Sequence, residues 1–186
     1  MTDTQWPRYI VLHQDREGSP HRYAGSVHAP DAEIALMNAR DVFVRRPECV
    51  SLWVVRADRL FAVTAQQIDE QPHLFETLPQ GSAHPGSYYV FQKIGARGLH
   101  SYTGEVEACS PQEALKLALE QFAAKDVTVW WVFPAAEVRT SSPEDIQAMF
   151  AIAETKLYRD QGQYHTVATL RRIKEQKDKE HTPDAG

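Results

Sequence analysis

Apolar residues along this chain recur at two spacings, and both spacings occur twice in the same order. The run His21-Arg22-Tyr23-Ala24-Gly25-Ser26-Val27-His28-Ala29 has a counterpart in His100-Ser101-Tyr102-Thr103-Gly104-Glu105-Val106-Glu107-Ala108. His, Tyr, Gly, Val and Ala recur at alternate positions, while every residue between them differs. Period two places side chains on one face of a strand. The matched positions therefore predict one inward face in each copy, carrying His21, Tyr23 and Gly25, and His100, Tyr102 and Gly104. The unmatched positions predict a face free to change. Gly25 and Gly104, in mid-strand, predict a bulge or the close approach of a helix or an aromatic ring.

Upstream, Tyr9-Ile10-Val11-Leu12 aligns with Tyr89-Val90-Phe91-Gln92, and glycine-containing turns follow at residues 15–18 and 95–98. Each copy should open as a hairpin. Downstream the spacing changes to three and four, which predicts a helix. In the first copy Asp31 caps a stripe of Ala32, Ala35, Leu36, Ala39 and Phe43. In the second, Ser110, Pro111 and Glu113 form a capping box with proline at the first helical position, ahead of Leu115, Ala118, Leu119 and Phe122. Each copy closes on a run apolar on both faces, Ser51-Leu52-Trp53-Val54-Val55 and Val129-Trp130-Trp131-Val132-Phe133. Such a strand belongs inside a sheet, covered by its own helix on one face and by the other repeat on the second, with Trp53 and Trp131 as core anchors. The expected fold class is α+β: two tandem β-β-α-β repeats with mainly antiparallel sheets packed as a pseudo-dimer, plus a C-terminal helix. The first repeat covers residues 1–79, a Gly/Pro/Ser linker 80–87, and the second repeat with its C-terminal helix 88–173. That helix is predicted to start at Ser142-Pro143-Glu144. The charged end, residues 174–186, is expected to be disordered.

Composition changes this picture little. The chain has 186 residues, 42% hydrophobic and 24% charged, with a formal net charge of -5. That is the balance of an ordinary soluble globular protein able to bury roughly 70% of its unfolded surface. The basic residues are spread out and do not make a nucleic-acid footprint. Cys49 and Cys109 are the only cysteines, with no CxxC pair, which fits a reducing cytoplasm and excludes a thiolate metal site. No apolar run reaches the length needed to span a bilayer.

Candidate chemistry is sparse. Walker, GxGxxG, GxSxG and HExxH motifs are all missing. Glu70-Gln71-Pro72-His73 is the one Glu-x-x-His run, and a carboxylate-bridged di-iron site needs two such motifs and two further Glu on bundle helices. His21 and His100 sit beside tyrosines at one repeated strand position, which favours hydrogen-bonded structural imidazoles over ligands or bases. Gly95-Ala96-Arg97-Gly98 matches the GXXG of an RNA-binding loop, but joins strands instead of helices. No catalytic residue, metal ligand or cofactor is expected.

Several runs of the first copy resemble the PaaB family, the small subunit of the phenylacetyl-CoA epoxidase. They are Trp6-Pro7-x-Tyr9, His21-Arg22, Gly25-Ser26-x-His28-Ala29, Ala35-Leu36-x-Asn38-Ala39-Arg40-Asp41, Arg45-Arg46 and Ser51-Leu52-Trp53-Val54-Val55. A tail with Ala153-Glu154-Thr155-Lys156-Leu157-Tyr158-Arg159 and Tyr164-His165-Thr166 is similar to that family's C-terminus. The resemblance implies a non-catalytic subunit that joins a separate di-iron catalytic subunit to a structural helical subunit, with the reductase as a further candidate partner. The chain departs from the family in carrying a second copy. There Arg22 becomes Ser101, His28 becomes Glu107, and Arg40-Asp41 becomes Leu119-Glu120. Arg22, His28, Arg40, Asp41, Arg45 and Arg46 are therefore the expected partner contacts. The alternative function is a stand-alone binder of an aromatic or acyl-CoA ligand between the repeats.

Overall fold

The computed structural model describes residues 6–44, 49–71 and 84–142, together with Gln176. Residues Met1–Glu154 form one compact unit, to which every element named below belongs. Strands β1 (Arg8–Gln14) and β2 (Arg22–His28) pair antiparallel. Gly18, at φ 76°, supplies the left-handed residue their turn requires. Helix α1 (Ala32–Phe43) starts where the Asp31 carboxylate accepts from the Ile34 N–H at 2.8 Å, and it buries Ala35, Leu36 and Ala39. Strand β3 (Ser51–Arg56) returns antiparallel to β1. A 3-10 turn at Ala57–Arg59 leads to strand β4 (Phe61–Thr64) and helix α2 (Ala65–Glu70), which opens on a complete capping box between Thr64 and Gln67.

The same order then recurs: β5 (Gly86–Ile94), β6 (His100–Ala108), α3 (Pro111–Gln121), β7 (Val127–Pro134), a 3-10 turn (Ala135–Glu137) and β8 (Arg139–Thr140). At α3 the Ser110 hydroxyl accepts from the Glu113 N–H at 3.2 Å. The Glu113 carboxylate reaches back one residue further than a standard capping box, to the Cys109 N–H at 2.7 Å.

The eight strands among the described residues join one antiparallel sheet in the order β4-β7-β5-β6-β2-β1-β3-β8. The fold is α+β, as expected. The short strands exchange halves: β4 pairs with β7, and β8 pairs with β3. Both all-apolar strands thereby lie inside the sheet with a neighbour at each edge. The sheet is continuous only through a narrow central join, where Arg22 lies opposite Ser101 and the Tyr102 N–H donates to the His21 carbonyl at 2.8 Å. Its two halves fold onto one another. One core lies under α1 and includes Val11, Leu36 and Val54; another lies under α3 and includes Val90, Leu115 and Val132. A third sits between the halves, where Ile10, Leu12 and Val55 meet Phe91 and Phe133.

Two sequence expectations are corrected by the ladders. Tyr9 lies opposite Val27 and Tyr88 opposite Val106, so Tyr9-Ile10-Val11-Leu12 corresponds to Tyr88-Tyr89-Val90-Phe91, one residue from the expected alignment. Adjacent tyrosines allow that slip, and a slip of one exchanges the two faces of a strand. Likewise, the matched residues of β2 and β6 do not all share one face. Val11 pairs with Gly25 but Leu12 with Tyr23, leaving Ala24 as an extra residue; Thr103 is extra between Gly104 and Tyr102. The bulge reverses the alternation. Val27 and Ala29 face α1, while Tyr23 faces the core between the halves. Gly25 and Gly104 mark these bulges and also meet an aromatic ring. A Cβ on Gly25 would stand 2.5 Å from the Phe43 ring, and one on Gly104 would collide with Phe122.

Strand β5 starts at Gly86, inside the stretch read as linker. Most of the helix expected from Ser142 onward, and nearly all of the charged end, lie outside the described residues.

Candidate functional site

The histidines singled out in the sequence sit where the halves meet. His21 stacks on Trp53 with ring centroids 3.7 Å apart, and His100 stacks on Trp131 at 3.4 Å. Tyr102 meets Trp53 edge-on at 5.9 Å, and Tyr23 meets Trp131 edge-on at 5.2 Å, so each tyrosine reaches the tryptophan of the other copy. Tyr89 adds a second stacked ring on Trp53 at 4.9 Å. His21 Nε2 hydrogen-bonds Ser51 Oγ at 3.0 Å. Its counterpart, His100 Nε2, is buried without a partner, because Val129 occupies the position equivalent to Ser51.

Burial pushes the pKa of both imidazoles down to about 4, aided by His13 near His21 and Lys93 near His100. They are neutral rings at neutral pH, too weakly basic for general-base work there. Burial also raises the Cys49 thiol to about 11, far from the thiolate a nucleophile requires. Among the described residues no three His, Cys, Asp or Glu side chains converge as a metal site. The predicted core residues His21, Tyr23, Trp53, His100, Tyr102 and Trp131 are thus brought together as an aromatic seam. Beside it is a cleft of about 400 Å³ lined by Gln14, His21 and Trp53 from one half and Tyr102 from the other.

The predicted partner contacts are not one patch. Arg22 is exposed at the central join, and His28 is exposed at the opposite end of β2, about 20 Å away at the rise of a seven-residue strand. His28 Nδ1 donates to the Trp6 carbonyl at 2.9 Å, and its own carbonyl accepts from Asn38 Nδ2 at 3.3 Å, which ties it to α1. On that helix Arg40 pairs with Asp41 at 2.8 Å. Arg45 and Arg46 lie outside the described residues.

The same helix carries a feature the sequence reading missed. Ile34, Met37 and Val42 are exposed apolar residues, with Met37 48% accessible. At the same steps from the caps, Asp31 and Ser110, α3 has Glu113, Lys116 and Gln121. Aligning the two helices cap to cap would have exposed this contrast. A second cleft, about 360 Å³, opens where β1, β2 and β3 end, lined by Trp6, Arg8, His28, Arg56 and Asp58 among others.

Comparison with known proteins agrees with this duplicated architecture. The family model described as "Phenylacetic acid degradation B" (PaaB) matches residues 5–82 and again 84–171. One subunit of the 1,2-phenylacetyl-CoA epoxidase of Escherichia coli (strain K12) is 36% identical over 97 residues, covering 45% of this chain and 99% of that protein. No solved structure matches the chain. No helix among the described residues is long and apolar enough to cross a membrane. With two family matches covering both halves of the sheet, the chain belongs to the PaaB family of phenylacetic acid degradation proteins.

Proposed function

We propose that this chain is a non-catalytic assembly subunit of a multicomponent phenylacetyl-CoA oxygenase, working in the cytoplasm and carrying its own dimer mate. The observation that carries this reading is the double family match in one chain, residues 5–82 and 84–171, set against an E. coli epoxidase subunit that aligns over 99% of its own length with only 45% of this chain. The described parts of the two copies pack as a pseudo-dimer in which β4 and β8 are exchanged, the repeats themselves being assigned to 1–79 and 88–173. Exchange between two copies on one chain makes the pair permanent whatever the protein concentration. The di-iron centre then belongs to a separate catalytic subunit, and this chain joins that subunit to a structural helical partner, with the reductase as a further contact.

The first copy is assigned the partner surface. It keeps exposed Arg22 and His28, the Arg40–Asp41 pair and the apolar residues of α1, whereas the second copy has Ser101, Glu107, Leu119-Glu120 and a polar α3. Apolar residues with arginine among them suit a protein interface. The test is co-expression of the tagged full chain with the oxygenase subunits. Recovery of the catalytic subunit, with phenylacetyl-CoA turnover only in the assembled complex, is expected; turnover by the chain alone would sink the assignment. A second reading, a binder of an aromatic ligand between the halves, is favoured by the seam cleft at His21, Trp53 and Tyr102. Calorimetry of the chain with phenylacetate tests it.

A further inference from the structure

The two halves are alike where each faces its own helix and different where they face one another. The β1–β3 and β5–β7 ladders make Val11 equivalent to Val90 and Val54 to Val132, and these identical pairs lie under α1 and α3. In the core between the halves the first half supplies Ile10, Leu12 and Val55, whereas the same three positions of the second half carry Tyr89, Phe91 and Phe133. Small aliphatic side chains thus meet large aromatic ones. Leu12, Val55, Phe91 and Phe133 are all 0% exposed, so none of them can relieve a misfit toward solvent. Tyr89 stacks on Trp53 of the first half at 4.9 Å, while its equivalent, Ile10, has no ring to offer Trp131. Charge follows size. Arg59 and Glu137 are the third residues of the two equivalent 3-10 turns, and they pair with each other, Nε to Oε1 at 3.8 Å. Equivalent residues touch only near the axis that relates the halves. A half paired with its own copy would set arginine against arginine there, or glutamate against glutamate.

We infer that the face between the halves is specific for the opposite half: each copy accepts the other as its mate and rejects a second copy of itself. Two first halves together would put aliphatic side chains in place of three aromatic rings, leaving a cavity that close-packed surroundings fill only in part. Two second halves would put rings where aliphatic side chains now fit, and force them off their rotamers. The Arg59–Glu137 pair adds little attraction, since both side chains are partly exposed, but like charges in its place would repel. The wrong mate is thus rejected by misfit, and the right one is held by fit. On the functional reading above, every pair then presents the partner surface once instead of twice.

The test has two arms, and neither involves the oxygenase subunits, so its failure leaves the assembly role standing. In the first, full-length chains carrying Leu12→Phe, Phe91→Leu and both exchanges together are unfolded in urea. Each single exchange should lower the midpoint, and the double exchange should recover about half or more of the summed loss. A double variant that loses the full sum of the two singles overturns the inference. In the second arm, the full chain with a protease site engineered at residues 80–83 is cleaved, and the pieces of tagged and untagged preparations are mixed in urea and refolded. A tag on the first half should recover second halves at least tenfold over untagged first halves. Comparable recovery of first halves by first halves overturns the inference as well. If no pieces re-pair, the exchange series alone decides.

Discussion

Lowering the pH from 7 to 5 should destabilise this protein through its two stacked histidines. His21 and His100 have folded pKa values near 4, set chiefly by burial against Trp53 and Trp131, whereas an unfolded histidine titrates near 6.5. Between those values the unfolded chain binds more protons than the folded one, so stability is full above about pH 6.5 and is lost as the pH falls toward 4. Linkage sets a ceiling of about 1.8 kcal/mol lost per histidine between pH 7 and pH 5. His100 is partly exposed, so the pair together should cost about 2–3 kcal/mol. Urea denaturation at each pH measures the loss. The control is the double variant His21→Phe, His100→Phe, which keeps a ring in each stack but cannot take up a proton. Carboxylates contribute equally to both proteins, so the difference in slope isolates the histidines. Parallel loss of stability in the wild-type and double-variant chains would refute the reasoning.

Trp53→Ala should cost about 3–5 kcal/mol in chemical denaturation, since the ring is sandwiched between His21 and Tyr89; a loss below about 1 kcal/mol would mean that it packs against nothing of consequence. Gly104→Ala forces a methyl into the Phe122 ring and should cost about 1–3 kcal/mol, with part of the loss recovered by Phe122→Leu; no recovery would place the strain elsewhere. A protease site engineered at residues 80–83 should give a nicked protein that still elutes as one species under native conditions, because β4 completes one half and β8 the other. Separation of the fragments without denaturant would contradict the exchange.

Much of the fold was legible because its signals are local. Asp31 and Ser110 cap the two main helices as expected, and the apolar runs around Trp53 and Trp131 are interior strands. What period-two reading could not carry was the bulge: an extra residue, Ala24 or Thr103, leaves the repeat intact in sequence while turning half of it to the opposite face. The exchanged strands were also beyond reach. β8 has two residues, too few for any periodicity, and Phe61–Thr64 gains its meaning only from the ladder to β7. For the proposed functional surface, the unmatched positions supply the contrast between copies on which the proposal rests. The cleft at Trp6 depends on residues from three strand ends, and nothing in their spacing brings them together.

In the proposed assembly, one copy recruits the oxygenase and the other completes the scaffold. The direct measurement is how much of the catalytic subunit is recovered with tagged chains carrying Arg22→Glu with Arg40→Glu, against chains carrying Ser101→Glu with Leu119→Glu at the equivalent positions. At least tenfold less recovery is expected for the first pair, and recovery close to wild type for the second. Equal loss in both would contradict it.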